Sequence, residues 1–130
     1  NRSGVDPGEV GEFYNKTYIE KNSYSQGELV SARAHFDMRL PSVSKIAADL
    51  KPFIGKDMRI MELGGATGEL LYALKDHGNY FYNNELNQLY TEFSKSELGI
   101  DGSSQDYFEL SFDKKFDLDI VFPKNSNHKY

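Results

Sequence analysis

A run of glycines limits the fold of this chain more than any other feature. Residues 58–69 are Met-Arg-Ile-Met-Glu-Leu-Gly-Gly-Ala-Thr-Gly-Glu. The alternating apolar residues of 59–63 predict a strand, the glycines break it, and the leucines that follow predict a helix ending at Gly78. A strand, a glycine loop and a helix in this order open a nucleotide-type α/β fold, in which a ligand lies directly on the loop backbone.

The residues around the loop argue against two common ligands. A phosphate-binding loop ends in Gly-Lys-Ser or Gly-Lys-Thr, whereas Glu69 follows Gly68 here. The glycine spacing also departs from the dinucleotide fingerprint, so a nicotinamide oxidoreductase is disfavoured. Glu62, at the end of the predicted strand, would repel a pyrophosphate and attract an ammonium or sulfonium group.

This stretch resembles the first motif of the class I S-adenosylmethionine-dependent methyltransferases, an acid followed by glycines at alternate positions. Glu62, Gly64 and Gly68 match that motif, and Ala66 replaces its middle glycine. The resemblance implies a Rossmann-like parallel sheet, S-adenosylmethionine as the cofactor and methyl transfer as the activity. It places Glu62 and Gly64 at the methionine end of the cofactor. The rest of the predicted cofactor loop is Gly65, Ala66 and Gly68.

A second acid follows the first glycine of the loop by 21 positions. The aromatic run in residues 79–86 predicts a second strand, and Glu85 lies at its end. An acid at about this separation reaches the ribose hydroxyls in nucleotide folds, because one carboxylate accepts from both. Leu86 is then expected against the adenine. Asn87 predicts the start of another helix, and Gly99 its end.

A third acid, Asp106, precedes a segment that resembles the next part of the same family pattern. By that resemblance its carboxylate accepts the adenine amino group and the Tyr107 amide reaches the ring. The family sheet has strand order 3-2-1-4-5-7-6, and only strands 1–4 are recognisable here, so we expect an apparently truncated fold. The fourth strand, Phe116–Phe122, is then a sheet edge, and we expect the tail, a second copy in a homodimer or a partner chain to cover it.

We divide the chain into a tail at 1–24, N-terminal helices at 25–57 and an incomplete cofactor-binding α/β core at 58–130. The tail carries Tyr14 and Tyr18, which either pack on the domain or form a lid over the ligand. A capping box at residues 25–28 predicts a helix that Pro41 ends near residue 39, and Ser42 is expected to cap a second helix.

The charged residues of the first predicted helix lie mostly off its apolar stripe. A solvated face is the expectation, and a substrate-binding face is the alternative. These residues are Arg33, His35, Asp37 and Arg39.

Composition narrows the functional classes further. The net charge of -5 argues against a nucleic-acid partner, and the absence of cysteine excludes disulfides and thiolate metal sites. The three histidines form no metal-ligand pair, so no metal site is expected. No apolar run approaches the roughly 20 residues of a membrane span. We therefore expect a soluble, cytoplasmic protein that does not bind membranes.

The residues do not display a catalytic group. Lys124, after the fourth strand, is a candidate for a catalytic residue, and a surface lysine is the alternative. We expect a methyltransferase domain that acts on a small polar molecule, for example a sugar. The alternative is a cofactor-binding or scaffold module without catalysis, or a partial enzyme that needs a partner chain.

Overall fold

The computed structural model describes residues 24–76 and 78–121. Along the chain the elements are α1 (Gln26–Leu50), a 3-10 helix (Lys51–Phe53), β1 (Arg59–Leu63), α2 (Glu69–Leu74), β2 (Tyr80–Asn84), α3 (Gln88–Leu98), β3 (Asp101–Ser103), a second 3-10 helix (Tyr107–Glu109) and β4 (Leu118–Val121). Within these ranges, no helix is both long and apolar enough to cross a membrane. The predicted lid and Lys124 lie outside the described residues, so their roles stay predictions.

The four described strands form a parallel sheet with the order β3-β2-β1-β4. This order is the one expected for the first four strands, so the predicted fold class is confirmed. The register brings the last residues of all four strands, 63, 84, 103 and 121, into one row. The strand order reverses beside β1, and ligands of open α/β sheets bind at such a reversal, above the carboxyl ends of the strands.

Helix α1 is longer than the sequence predicted. The capping box of Ser25 and Glu28 is confirmed, but Pro41 lies inside the helix and does not end it. The apolar stripe continues in phase across the proline, so packing outweighs the missing hydrogen bond. Ser42, expected to cap a second helix, donates its hydroxyl to the carbonyl of Arg39 at 3.0 Å. The buried residues of the stripe are Ala32, Phe36, Val43 and Ala47.

The core lies between one face of the sheet and a layer formed by all three α-helices. Phe36 of α1 packs against Phe93 of α3, with ring centroids 5.8 Å apart, and against Tyr72 of α2 at 5.3 Å. Most of the other buried side chains are aliphatic, and among them are Ile60, Leu70, Leu71, Leu74 and Ile120.

Two predicted boundaries are wrong. Helix α2 ends at Leu74, where the apolar pattern stops, and Gly78 instead adopts a positive φ of 82° in the turn before β2. Strand β4 begins at Leu118, and the preceding Phe116 packs its ring on Tyr80 and Phe112. The boundaries of α3 at 87 and 99 are confirmed.

Strand β4 is an edge of the sheet as described, as the sequence predicted. Its Ile120 is buried, whereas Val121 is 52% exposed. Its cover by the tail, a second copy or another chain stays a prediction.

A cluster of aromatic rings covers the second face of the sheet. The guanidinium of Arg59 lies 4.7 Å from the ring centroid of Tyr80 and 4.8 Å from that of Phe116. Tyr80 also donates its hydroxyl to Asp101 at 2.8 Å. Burial raises the pKa of Tyr80 above its ordinary value of 10, and the hydrogen bond to Asp101 raises it further. The Tyr80 phenol is therefore held in its protonated form.

We expect the Pro41→Ala substitution to stabilise the protein by about 1–3 kcal/mol, because alanine restores an N–H donor to the helix interior. Urea unfolding measures the change. Ser44→Ala, at an exposed position of the same helix, is the control and should gain only about 0.5 kcal/mol. A loss of stability in Pro41→Ala would mean that the fold requires the proline.

We expect Tyr80→Phe to lower stability by about 1 kcal/mol at neutral pH, because it removes the hydrogen bond to Asp101. The folded state holds the phenol proton more tightly than the unfolded chain. This contribution is therefore complete below about pH 10 and is lost as the pH rises toward the raised pKa. The gap between the two proteins should then narrow in urea titrations above about pH 10. Tyr72→Phe is the control, and an unchanged gap at alkaline pH would contradict the assignment.

Candidate functional site

The glycine loop after β1 has a left-handed backbone at three alternate positions. The φ angles are 74° at Gly64, 54° at Ala66 and 88° at Gly68. This conformation disfavours a residue with a Cβ by roughly 1–2 kcal/mol, so Ala66 is held in a strained state. Strain of this kind persists only where the surroundings impose it, and it concentrates at functional sites.

Two side chains of the neighbouring strand region hold the strained residue. The amide of Ala66 donates to Oε1 of Glu85 at 2.7 Å, and its carbonyl accepts from Nδ2 of Asn83 at 3.0 Å. The peptide groups on both sides of Ala66 are therefore fixed by β2 and its tip. Glu85 thus lies against this loop. Its predicted contact with ribose hydroxyls stays a prediction.

Glu85 also joins the loop to the helix that follows it. Its Oε2 accepts from the amide of Asn87 at 2.8 Å, and its own carbonyl accepts from the hydroxyl of Thr91 at 2.6 Å. Each carboxylate oxygen has a further lone pair for a ligand hydroxyl. The neighbouring Leu86 is 40% exposed and offers an apolar surface beside the carboxylate.

Asp106 lies in the loop after β3, at the same edge of the sheet. Its Oδ1 accepts from the amide of Phe108 at 3.0 Å and starts the 3-10 helix that contains Tyr107. The side chain of Asn84 donates to the carbonyl of Gln105 at 2.9 Å, which ties this loop to the tip of β2. All three predicted acids thus belong to the carboxyl edge of the sheet. The contacts of Asp106 and Tyr107 with adenine stay predictions.

Glu62 lies beneath the loop, because its side chain is buried and the residue is only 3% exposed. A Cβ added at Gly65 would lie 2.7 Å from Oε1 of Glu62 and would overlap Oδ1 of Asn83. The loop therefore packs directly on two polar side chains, and only glycine fits at this position. Contact of Glu62 with the methionine end of a ligand stays a prediction.

A second polar cluster adjoins the loop, and it includes two residues of the predicted solvated face of α1. Glu69, 4% exposed, accepts from the hydroxyl of Thr67 at 2.6 Å. Its Oε2 lies 3.7 Å from Nε of Arg39 and 3.8 Å from Nε2 of His35. Both α1 residues lie within 4 Å of this buried carboxylate, and the side chain of Arg39 is still 49% exposed. They therefore link α1 to the start of α2.

The other two residues of the predicted solvated face are likewise exposed. Asp37 is exposed, and Arg33 forms an ion pair with Glu97 at 3.4 Å in which both side chains are 44% exposed. The four-residue spacing of His35 and Arg39 was a signal that they share a side of the helix. Nothing in the sequence pointed to Glu69 as their partner, because it belongs to a distant segment.

The sequence matches no protein-family model, and none of the curated proteins is similar enough to match. Solved structures do match. One is a SAM-dependent methyltransferase from Geobacter sulfurreducens in complex with S-adenosyl-L-homocysteine, with a TM-score of 0.48 and 23% identity over 61% of this chain and 34% of that one. Another is a SAM-dependent methyltransferase from Thiobacillus denitrificans with the same ligand, with a TM-score of 0.47 and 21% identity over 86% of this chain and 43% of that one. This chain spans less than half the length of either.

We expect Gly65→Ala to destabilise the protein by about 1–3 kcal/mol, because the added methyl group overlaps the side chains beneath the loop. Urea unfolding measures the loss. Gly27→Ala is the matched control, since a Cβ there meets only Oγ of Ser25 at 3.8 Å. Equal stabilities of the two variants would contradict the close packing of the loop.

Proposed function

We propose that this chain binds S-adenosylmethionine over the glycine loop and serves methyl transfer to a small polar acceptor, such as a sugar. One observation carries the proposal, the 2.7 Å hydrogen bond between the Ala66 amide and the Glu85 carboxylate. Because of this bond, the loop and the acid at the tip of β2 form one continuous surface. The methionine part of the ligand would lie on the loop and the ribose hydroxyls on Glu85.

The same hydrogen bond argues against a phosphate-containing ligand. Phosphate loops work because their backbone amides point at the anion and are free to donate. Here the Ala66 amide already donates to a carboxylate, whose negative charge would repel a pyrophosphate. Three carboxylates belong to or adjoin the loop, those of Glu62, Glu69 and Glu85. Such surroundings favour a ligand that carries ammonium and sulfonium groups.

Methyl transfer from a sulfonium needs little chemistry from the protein. The acceptor displaces the methyl group directly, and much of the acceleration comes from holding the nucleophile and the methyl carbon in line. A general base is required only when the acceptor must lose a proton. The acidic charge of the chain favours a small polar acceptor over nucleic acid.

Isothermal titration calorimetry with S-adenosylhomocysteine tests the binding site. We expect Glu85→Gln to weaken binding by about tenfold to a hundredfold, since it removes charge-assisted hydrogen bonds to the ribose and the loop. Glu97→Gln is the matched control, because Glu97 is an exposed acid on α3 paired with Arg33. NAD serves as the comparison ligand. Tighter binding of NAD than of S-adenosylhomocysteine would refute the proposal.

Turnover separates an enzyme from a binding module. The protein is incubated with S-adenosylmethionine and a panel of sugars, and mass spectrometry detects the added methyl group. Methylated product supports the proposed transfer. Cofactor binding without product on any acceptor would leave a binding or scaffold module.

A further inference from the structure

Two adjacent asparagines end β2, and neither is exposed to solvent. Asn83 and Asn84 both have 0% relative exposure. Neighbouring residues of a strand point to opposite faces of the sheet, so the two side chains reach different surroundings. Asparagine is depleted in strands, and two in succession at the centre of a parallel sheet call for a physical reason.

Each asparagine holds a different loop at the carboxyl edge. Nδ2 of Asn83 donates to the carbonyl of Ala66 in the glycine loop at 3.0 Å. Nδ2 of Asn84 donates to the carbonyls of Ser103 and Gln105, at 3.1 and 2.9 Å, in the segment that leads to Asp106. One strand tip therefore fixes both loops.

The hydrogen bonding of the two side chains is incomplete. Oδ1 of Asn83 and Oδ1 of Asn84 are buried and accept no hydrogen bond from the described part of the chain. A buried acceptor without a partner lowers stability. Two apolar residues at these strand positions would leave no buried acceptor unpaired, so they would lower the stability of the fold less. Stability alone therefore does not account for the two asparagines.

We propose that Asn83 and Asn84 are positioning residues, and that each holds the loop that would bind one end of the proposed ligand. Asn83 sets the glycine loop for the methionine end, and Asn84 sets the Asp106 loop for the adenine end. Because both belong to one strand, the distance between the two loops is fixed by the backbone of β2. This inference deepens the proposed function and rests on it.

Two ligands of different length separate the two roles. S-adenosylhomocysteine carries both ends, whereas 5′-methylthioadenosine lacks the amino-acid end. We expect Asn83→Ala to weaken the longer ligand by about tenfold and the shorter one by less than about twofold. We expect Asn84→Ala to weaken both by about tenfold, because both carry adenine.

The chain offers a matched control at the opposite end of the same strand. Asn79 also makes a side-chain hydrogen bond to the backbone, accepting from the amide of Met58 at 2.9 Å. Asn79→Ala should leave both affinities within about twofold of wild type, although it also removes a hydrogen bond between an asparagine side chain and the backbone. Should the alanine variant of Asn83 or Asn84 fail to fold, the leucine variant replaces it, since it approximates the shape, removes the amide donor and buries no charge.

Hydrogen exchange without ligand gives a second measurement. Asn83→Ala should speed exchange at the amides of residues 66–68, and Asn84→Ala at those of residues 104–108, with little effect on the other loop. Equal losses for both ligands in both variants, or variants that behave like Asn79→Ala, would overturn this inference alone. Failure of the wild-type protein to bind either ligand would instead overturn the proposed function, and the ligand roles of both asparagines with it.

Discussion

The structure of the site depends on the two peptide groups that flank Ala66. The amide of Ala66 donates to Glu85, and the carbonyl of Ala66 accepts from Asn83. These two bonds hold a left-handed backbone that alanine disfavours. The parallel register of β1 and β2 makes them possible, because it aligns Leu63 with Asn84 and brings the glycine loop beside the tip of β2.

The helical layer supports this loop from one side of the sheet. Glu69 follows the last glycine and lies within 4 Å of Arg39 and His35 on α1. The aromatic contacts of Phe36 continue the same interface toward α2 and α3. The N-terminal helix is thus part of what fixes the loop and belongs to the same core as the sheet.

The sequence predicted those features whose signal is local. Alternation predicted β1, and capping residues predicted the start of α1 and both ends of α3. Features set by distant partners were missed. Pro41 stays helical because the stripe of α1 packs on the core, and no local rule contains that energy. The bond from Asn83 to Ala66 spans 17 positions, and nothing near either residue announces it.

Different structural elements pack on the two faces of the sheet. Helices cover one face, while aromatic rings around Arg59 pack on the other, and some of them belong to the segment between the Asp106 loop and β4. The glycine loop adjoins the helices through Glu69, whereas the Asp106 loop leads into the segment that carries the rings of Phe112 and Phe116. A ligand that spans both loops would therefore join two segments that are supported by different layers of the domain.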